Sequence, residues 1–417
     1  TYPCLPDASF ARQLQVFGST ITCTSHYTSD RLAMTSSSSS HASTQTANCP
    51  WNICHLTSVH SRNDTRIFIK QCRSLAAHGY SPTMVVADGL GDVYKDGVKI
   101  VDVGCLPGRF NRMIRTTRRL LKKSLEINAD LYHLHDPELI PVGLKLKHLG
   151  KKVIFDAHED VPKQLLGKPY LNPLLLHILS GAFSLFERYA CPSFDGIITA
   201  TPFIRDKFLA INPSSVDINN YPVIGELDAN VPWTGKRDEI CYVGGIGLIR
   251  GIREVIHACE FLQTPARLNL TGCFSEPAVE TEVKTFPGWS RVNELGFIDR
   301  TGVREVLGRS MAGLVTFHPL PNHIDSQPNK MFEYMSAGVP VIASNFPLWR
   351  EIVEGNDCGL CVNPFDTKAI AAAIDFIINN PVRARQMGKN GQHAILSRYN
   401  WPTEESKMLN FYKKLQW

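Results

Sequence analysis

A chain of 417 residues with 43% hydrophobic and 20% charged residues has ordinary globular composition and is too long for one core, so two domains of roughly 150–200 residues are expected. The net charge of +5 is too mild to indicate a nucleic-acid partner, and no run of about 18 apolar residues occurs, so no membrane-spanning helix is expected. Twelve cysteines lie without regular spacing, several in apolar runs (Cys105, Cys241, Cys273), which suits reduced thiols better than a disulfide framework.

Residues 1–51 are rich in Ser and Thr, with Ser36–Ser40 in one run and a first methionine at Met34. They read as a disordered tail or an over-extended reading of the gene, without the pattern of a signal peptide. From Asn52, short β-branched or apolar runs (Asn52–Thr57, Thr83–Ala87, Leu131–Leu134, Lys152–Phe155, Gly196–Ala200) alternate with longer amphipathic ones such as Arg66–His78. That alternation predicts a parallel sheet covered on both faces. Two strand ends carry polar clusters, His133-Leu-His135-Asp-Pro-Glu138 and Asp156-Ala-His158-Glu-Asp160. Such groups at the carboxyl ends of adjacent strands are candidates for a cleft. The loop Thr57–Arg66 offers Ser58, His60, Asp64 and Arg66 as weaker candidates, although Asp64 can equally cap the helix that follows. Arg109–Lys123 holds seven Lys or Arg and no acid, interleaved with apolar residues. It reads either as a solvated helix face or as a contact with anionic lipid. The longest apolar stretch, Leu171–Phe186, is interrupted by polar residues and reads as a helix of the first domain or one lying against a surface.

Tyr221–Lys236, with two prolines and two glycines, looks like a linker. The alternation restarts at Glu239–Val243 and continues through Arg267–Leu270, Ala312–Phe317, Val339–Ala343 and Leu360–Val362. The expected organisation is therefore a first Rossmann-like domain over 52–222 and a second over 223–395. A helix over 396–417 is expected to pack back on the first. Cys358 and Cys361 form a Cys-x-x-Cys without a second pair or histidine partner, which favours a structural over a redox or metal role.

Two segments of the second domain carry chemistry. Cys241-Tyr-Val-Gly-Gly-Ile-Gly-Leu-Ile-Arg-Gly251 follows a strand, so Gly244 and Gly245 permit close backbone approach and Arg250 can bind phosphate bidentately. A dinucleotide fingerprint would need glycine where Arg250 stands, which argues against an NAD enzyme. Asp325–Gly338 reads as a helix with Pro328 in its first turn and Gly338 at its C′ position. Its N-terminal amides, Asn329 and the charge of Lys330 suit a diphosphate, and Glu333, one turn on, suits a ribose diol. The bland reading is a capped helix with a solvated Lys–Glu pair.

The second segment resembles the family 4 glycosyltransferases, retaining enzymes of the GT-B fold. Their two acids separated by seven positions are matched by Asp325 and Glu333, and Pro-Asn-Lys-Met-Phe-Glu-Tyr-Met-Ser-Ala-Gly is close to the pattern of a bacterial surface-polysaccharide subgroup. The resemblance covers about Asn52 to Trp417. It implies two doubly wound domains facing across a cleft, with Glu333 on the nucleotide ribose. It also implies Arg250 in the place of the usual diphosphate lysine, and Asp325 and His135 facing the donor sugar. Gly245 stands where the family has arginine, and Lys330 is expected to share that residue's work. His158 looks like a further cleft residue.

The expected function is transfer of a hexosyl or N-acetylhexosaminyl group from a UDP- or GDP-sugar to a glycan or polyprenyl-linked acceptor, with retention. No cofactor is called for, and the lack of any Asp-x-Asp disfavours a metal-bridged site. A nucleotide-sugar 2-epimerase and a non-catalytic sugar-nucleotide-binding partner are the alternatives. The expected location is the cytoplasm, at the membrane face if Arg109–Lys123 touches lipid.

Overall fold

The computed structural model describes residues 51–167, 172–228 and 231–416; the Ser/Thr-rich stretch 1–50 lies outside the described residues. Fourteen strands form two sheets. The first contains β1 (Asn52–Leu56), β2 (Ser81–Val86), β3 (Val93–Lys95), β4 (Val98–Asp102), β5 (Leu131–Leu134), β6 (Lys152–Ala157), β7 (Gly196–Thr199) and β8 (Ser215–Asp217). Their spatial order is β3-β4-β2-β1-β5-β6-β7-β8. The second contains β9 (Glu239–Val243), β10 (Arg267–Thr271), β11 (Val292–Gly296), β12 (Ala312–Val315), β13 (Val341–Ser344) and β14 (Gly359–Val362), in the order β11-β10-β9-β12-β13-β14. Every pairing is parallel except β3 with β4.

The central strands are buried over nearly their whole length because helices cover both faces. In β1, Ile53, Cys54, His55 and Leu56 are all fully buried. The strands that periodicity did not reveal are β3, β8 and β11 at sheet edges, and β4, which lies between β3 and β2. β3 is exposed throughout, and its hairpin to β4 turns on Asp96 (φ 50°) and Gly97 (φ 78°). That Asp-Gly pair is the sequence signal for such a turn.

The helix expected from Asp325 starts later, at Asn329, and runs to Ser336. Pro328 is its N-cap rather than part of its first turn, and the residues from Pro321 to Asp325 form a turn. A proline disfavours helical backbone in the residue before it, so Asp325 cannot be drawn into the helix. Gly338 takes the left-handed conformation (φ 67°) just past the C-terminus, and its amide donates to Met335 O at 3.1 Å. Cys358 and Cys361 are both free, and burial pushes each thiol up to about 12, away from any reactive thiolate.

The last helix, Trp401–Gln416, leaves the second sheet's neighbourhood and covers the first. Trp401, Met408, Phe411 and Tyr412 pack with Ile53, Leu131, Ile154 and Ile198, one from each of four neighbouring strands, β1, β5, β6 and β7. Trp401 Nε1 also donates to Ser74 Oγ at 3.0 Å on the helix between β1 and β2. Trp401→Ala should destabilise the protein by about 3–5 kcal/mol, read as a lower urea midpoint by far-UV circular dichroism. An unchanged midpoint would show that this helix does not hold the first sheet.

Candidate active site

Where strand order reverses, the loops leaving two neighbouring strands diverge and open a crevice at their carboxyl ends. The reversals fall between β1 and β5 in the first sheet and between β9 and β12 in the second. The predicted site residues cluster at these two points.

In the first half, Asp136 follows β5 and ties down the loop after β1. It accepts from Thr57 Oγ1 at 2.9 Å and from the Ser58 amide at 2.6 Å. Ser58 Oγ donates onward to Glu138 at 2.9 Å. His60 sits between two carboxylates, with Nδ1 3.0 Å from Asp64 and Nε2 3.5 Å from Asp136. Asp64 caps the next helix by accepting from the amides of Arg66 and Ile67. Burial opposes the charge on both His60 and Asp64, but their contact outweighs it, raising the imidazole and lowering the carboxyl.

The helix capped by Asp64 begins with a wider turn over Thr65–Cys72, shown by the Ile69 amide donating to Asp64 O at 3.1 Å. Arg66, Lys70 and Gln71 all turn inward. Arg66 donates from Nε (3.0 Å) and Nη2 (2.7 Å) to the two oxygens of Asp156 on β6, and Gln71 adds a third bond at 2.8 Å. Arg66 is therefore a buried partner of Asp156, not an open acceptor-side group.

Around Asp156 stand three imidazoles, His133 (3.6 Å), His135 (3.5 Å) and His158 (3.5 Å). Parallel register explains the stack: His55 of β1 lies beside His133 of β5, and His135 is two residues on, over the same face. His135 Nε2 is 2.9 Å from His55 Nδ1, while His135 Nδ1 is 3.3 Å from His158 Nε2. Both ring nitrogens of His135 are thus occupied and its side chain has no exposure. His158 and His60, with side chains 18% and 29% exposed, are the imidazoles that reach the crevice. Burial holds His55, His133 and His135 below the usual imidazole range, so all three are neutral at pH 7. Burial opposes charge on Asp156 too, yet Arg66 and the surrounding imidazoles hold it well below the usual carboxylate range. Two groups, His55–His133–His135 and His135–Asp156–His158, bring possible metal-ligating atoms within 4.8 Å of one another. Arg66 already occupies both oxygens of Asp156, so the second group offers a cation no free carboxylate.

The second half is built on glycine. Gly244 (φ 102°) leaves β9 beside Lys330, and a Cβ there would lie 3.6 Å from Lys330 Cε. At Gly245 a Cβ would lie 2.4 Å from Arg250 Nη1, so the missing side chain is what lets that guanidinium fold back and donate to Gly245 O at 3.0 Å. Lys330 Nζ is buried without a hydrogen-bond partner, 3.6 Å from the centroid of the Tyr242 ring. Burial, then the neighbouring Arg250, drives its amine well below the usual lysine range. The amides of Asn329 and Lys330 open the helix beside it and lack intrahelical acceptors by position. An unpartnered buried amine, a guanidinium and a helix N-terminus make a cradle for a multiply charged anion.

Glu333, one turn on, accepts from Arg300 Nη1 at 2.7 Å, and Arg300 Nε donates to Glu226 at 2.8 Å. Asp325 lies apart from this cradle, accepting from Lys163 Nζ of the first domain at 3.2 Å. Sequence reading missed Lys70, Lys163, Arg300 and His323. Lys70 is bonded to Asn220 Oδ1 at 2.6 Å and pushed down to about 7 by burial, against the pull of Glu333. His323 is buried against Phe317, and burial keeps it below its ordinary value. None of the four belongs to a local motif. Only the inward face of the helix after Asp64 gave a signal, through Arg66 and Lys70 at i,i+4.

Residues 224–394 match the family Glycosyl transferases group 1, and residues 65–218 match Glycosyltransferase Family 4. A glycogen synthase of Mycobacterium tuberculosis is 22% identical over 312 residues, covering 66% of this chain and 73% of that protein. An α-maltose-1-phosphate synthase of Mycolicibacterium smegmatis is 25% identical over 282 residues, covering 59% and 70%. Sucrose-phosphate synthase from Thermosynechococcus elongatus has the same fold at a TM-score of 0.69 and 20% identity, over 88% of this chain and 99% of that one. Anabaena HepE in complex with UDP and glucose matches at a TM-score of 0.68 and 14% identity, over 87% and 100%. The architecture is GT-B.

An anion entering the cradle should return a proton to Lys330, because the charged amine is favoured only when paired. Between the depressed value and the ordinary 10.5, binding then takes up protons. Calorimetry with pyrophosphate at pH 9 should give a more endothermic apparent enthalpy in a buffer of high ionisation enthalpy than in one of low, and Lys330→Met should remove the difference. Equal enthalpies in both buffers with the wild type would refute it.

Proposed function

We propose that this chain, whose two domains have the GT-B architecture and match two glycosyltransferase family models, transfers a hexosyl or N-acetylhexosaminyl group from a UDP- or GDP-sugar to a glycan or polyprenyl-linked acceptor. The observation that carries this reading is Lys330 Nζ, buried without a partner beside Arg250 at the start of the helix Asn329–Ser336. In the reaction the bond from the anomeric carbon to the diphosphate oxygen breaks, and its electron pair stays on the diphosphate. An acceptor hydroxyl oxygen bonds that carbon and its proton is lost. Fixed cations in a dry site stabilise the charge that develops on the leaving group.

Glu333 takes the ribose hydroxyls, oriented by its bond to Arg300. Asp325, at the mouth beside Lys163, faces the donor sugar. His158 and His60 contact sugar hydroxyls in the crevice, with His135 behind them as a positioning residue. Transfer proceeds with retention and without a metal or other cofactor. Retention is supported by the family resemblance, and metal independence by the cationic cradle and the lack of Asp-x-Asp. A synthase-type relative supports transfer over epimerisation. The enzyme works on bacterial surface polysaccharide at the cytoplasmic face of the membrane, touching anionic lipid through Arg109–Lys123.

A thermal-shift screen with UDP-, GDP-, ADP- and CMP-sugars should give stabilisation by one nucleotide class. Arg250→Ala and Glu333→Ala should each weaken that donor's binding by about 10–100-fold, the loss of one hydrogen-bonding partner to a charged group. No shift with any donor sinks the proposal. With the donor known, turnover should be unaffected by EDTA, and NMR of the first product formed should show the donor's anomeric configuration. Inhibition by EDTA that magnesium reverses, or an inverted product, overturns those two assignments.

A further inference from the structure

The helix Pro173–Ala190 is turned inside out for a water-exposed element. Its glutamate, Glu187, is 1% exposed and paired with Lys207 at 2.7 Å. Its outer stripe is apolar, with Leu174 and Leu185 each 70% exposed, Ile178 58% and Tyr189 77%. These residues fall at intervals of four, seven and four, along one side of the helix. No described helix is long and apolar enough to cross a membrane.

Topology says what lies beside it. The crossovers from β4 to β5, β5 to β6 and β6 to β7 all run in one direction along the sheet. Right-handed crossovers place their helices on one face. The helix Thr117–Ile127 accordingly touches Ile140–His148, which touches Pro173–Ala190. Across this layer, residues 109–127, 140–148 and 173–190 hold ten Lys or Arg against two acids, Glu126 paired with Lys123 and the buried Glu187. Phe110 and Met113 stand exposed at its basic end, among Arg115, Arg118 and Lys122, which are also exposed.

We infer that this basic layer is a docking face for an anionic lipid surface, with the stripe Leu174–Tyr189 inserted among the lipids and the basic helix held over their headgroups. This deepens the membrane contact proposed above and rests on that reading for the acceptor's location. A solvated surface of a protein with near-balanced charge would mix both signs more evenly. The layer instead pairs an excess of positive charge with apolar area, the two terms that together hold a protein on a bilayer surface.

The test is co-sedimentation of the full chain with phosphatidylcholine vesicles, with and without phosphatidylglycerol. Two triple variants accompany it, Leu174→Ser/Ile178→Ser/Leu185→Ser and Arg115→Glu/Arg118→Glu/Lys122→Glu, all at exposed positions. The wild type should bind only the vesicles containing phosphatidylglycerol, and each variant should lose about tenfold or more of that binding. Pyrophosphate binding by both variants should match the wild type, which separates loss of the face from loss of the fold or the donor site. Absence of vesicle binding overturns the inference. So does binding that survives the apolar variant, or a dimer in light scattering that the apolar variant dissolves, which would make the stripe a contact between two copies.

Discussion

Asp156 carries its charge with no access to water, and the first half of the site is arranged around that fact. A buried carboxylate is tolerable only when its oxygens are filled, and breaking such a pair leaves an uncompensated charge. Arg66 and Gln71 fill them from the helix after β1, while His133, His135 and His158 surround them from β5 and the end of β6. Arg66 also donates to Ile218 O at 2.7 Å, just past β8. One carboxylate thus joins the reversal point of the sheet to its far edge. Burial holds His133 and His135 neutral, and their contacts fix their orientations, so they share hydrogen bonds rather than attract anions.

The donor half follows the opposite principle. There an amine is buried with its partner missing, its charge held off by burial and by Arg250 until an anion enters. The Tyr242 ring face lies 3.6 Å from Lys330 Nζ, ready to support the charge once it returns. The two halves divide the labour, one pre-satisfied and rigid, the other left in want of negative charge. They meet at Lys163 and Asp325, and around Lys70, whose amine feels Glu333 from the second domain.

The fold was largely legible because buried parallel strands write themselves as apolar runs. Leu131–Leu134 and Glu239–Val243 coincide with the strands read from sequence. The edge strand β3 escaped because exposure removes the apolar signal, and only the Asp96-Gly97 turn betrayed it. In the site, Gly244, Gly245, Arg250, Lys330 and Glu333 were legible because they lie in two short segments with local chemical logic. Asp156 was visible as a member of a cluster but its partners were not, since Arg66 lies 90 residues away. Arg300, in a helix with no motif, is placed against Glu333 only by the tertiary fold. His135 shows the complementary limit: spacing put it at a strand end, but the depth at which its ring lies depends on neighbours from two other strands.

The bond between Tyr412 Oη and His133 Nδ1, at 2.6 Å, spans 279 residues of chain. His133 touches Asp156, so the imidazole stack of the first domain is underpinned by a helix that follows the second domain in sequence. Until that helix has been made, Ile53, Leu131, Ile154 and Ile198 have no cover from it on their face of the first sheet. Sequence-distant contacts of this kind form late. A chain cut before Trp401 would leave those four side chains without this helix and His133 without Tyr412.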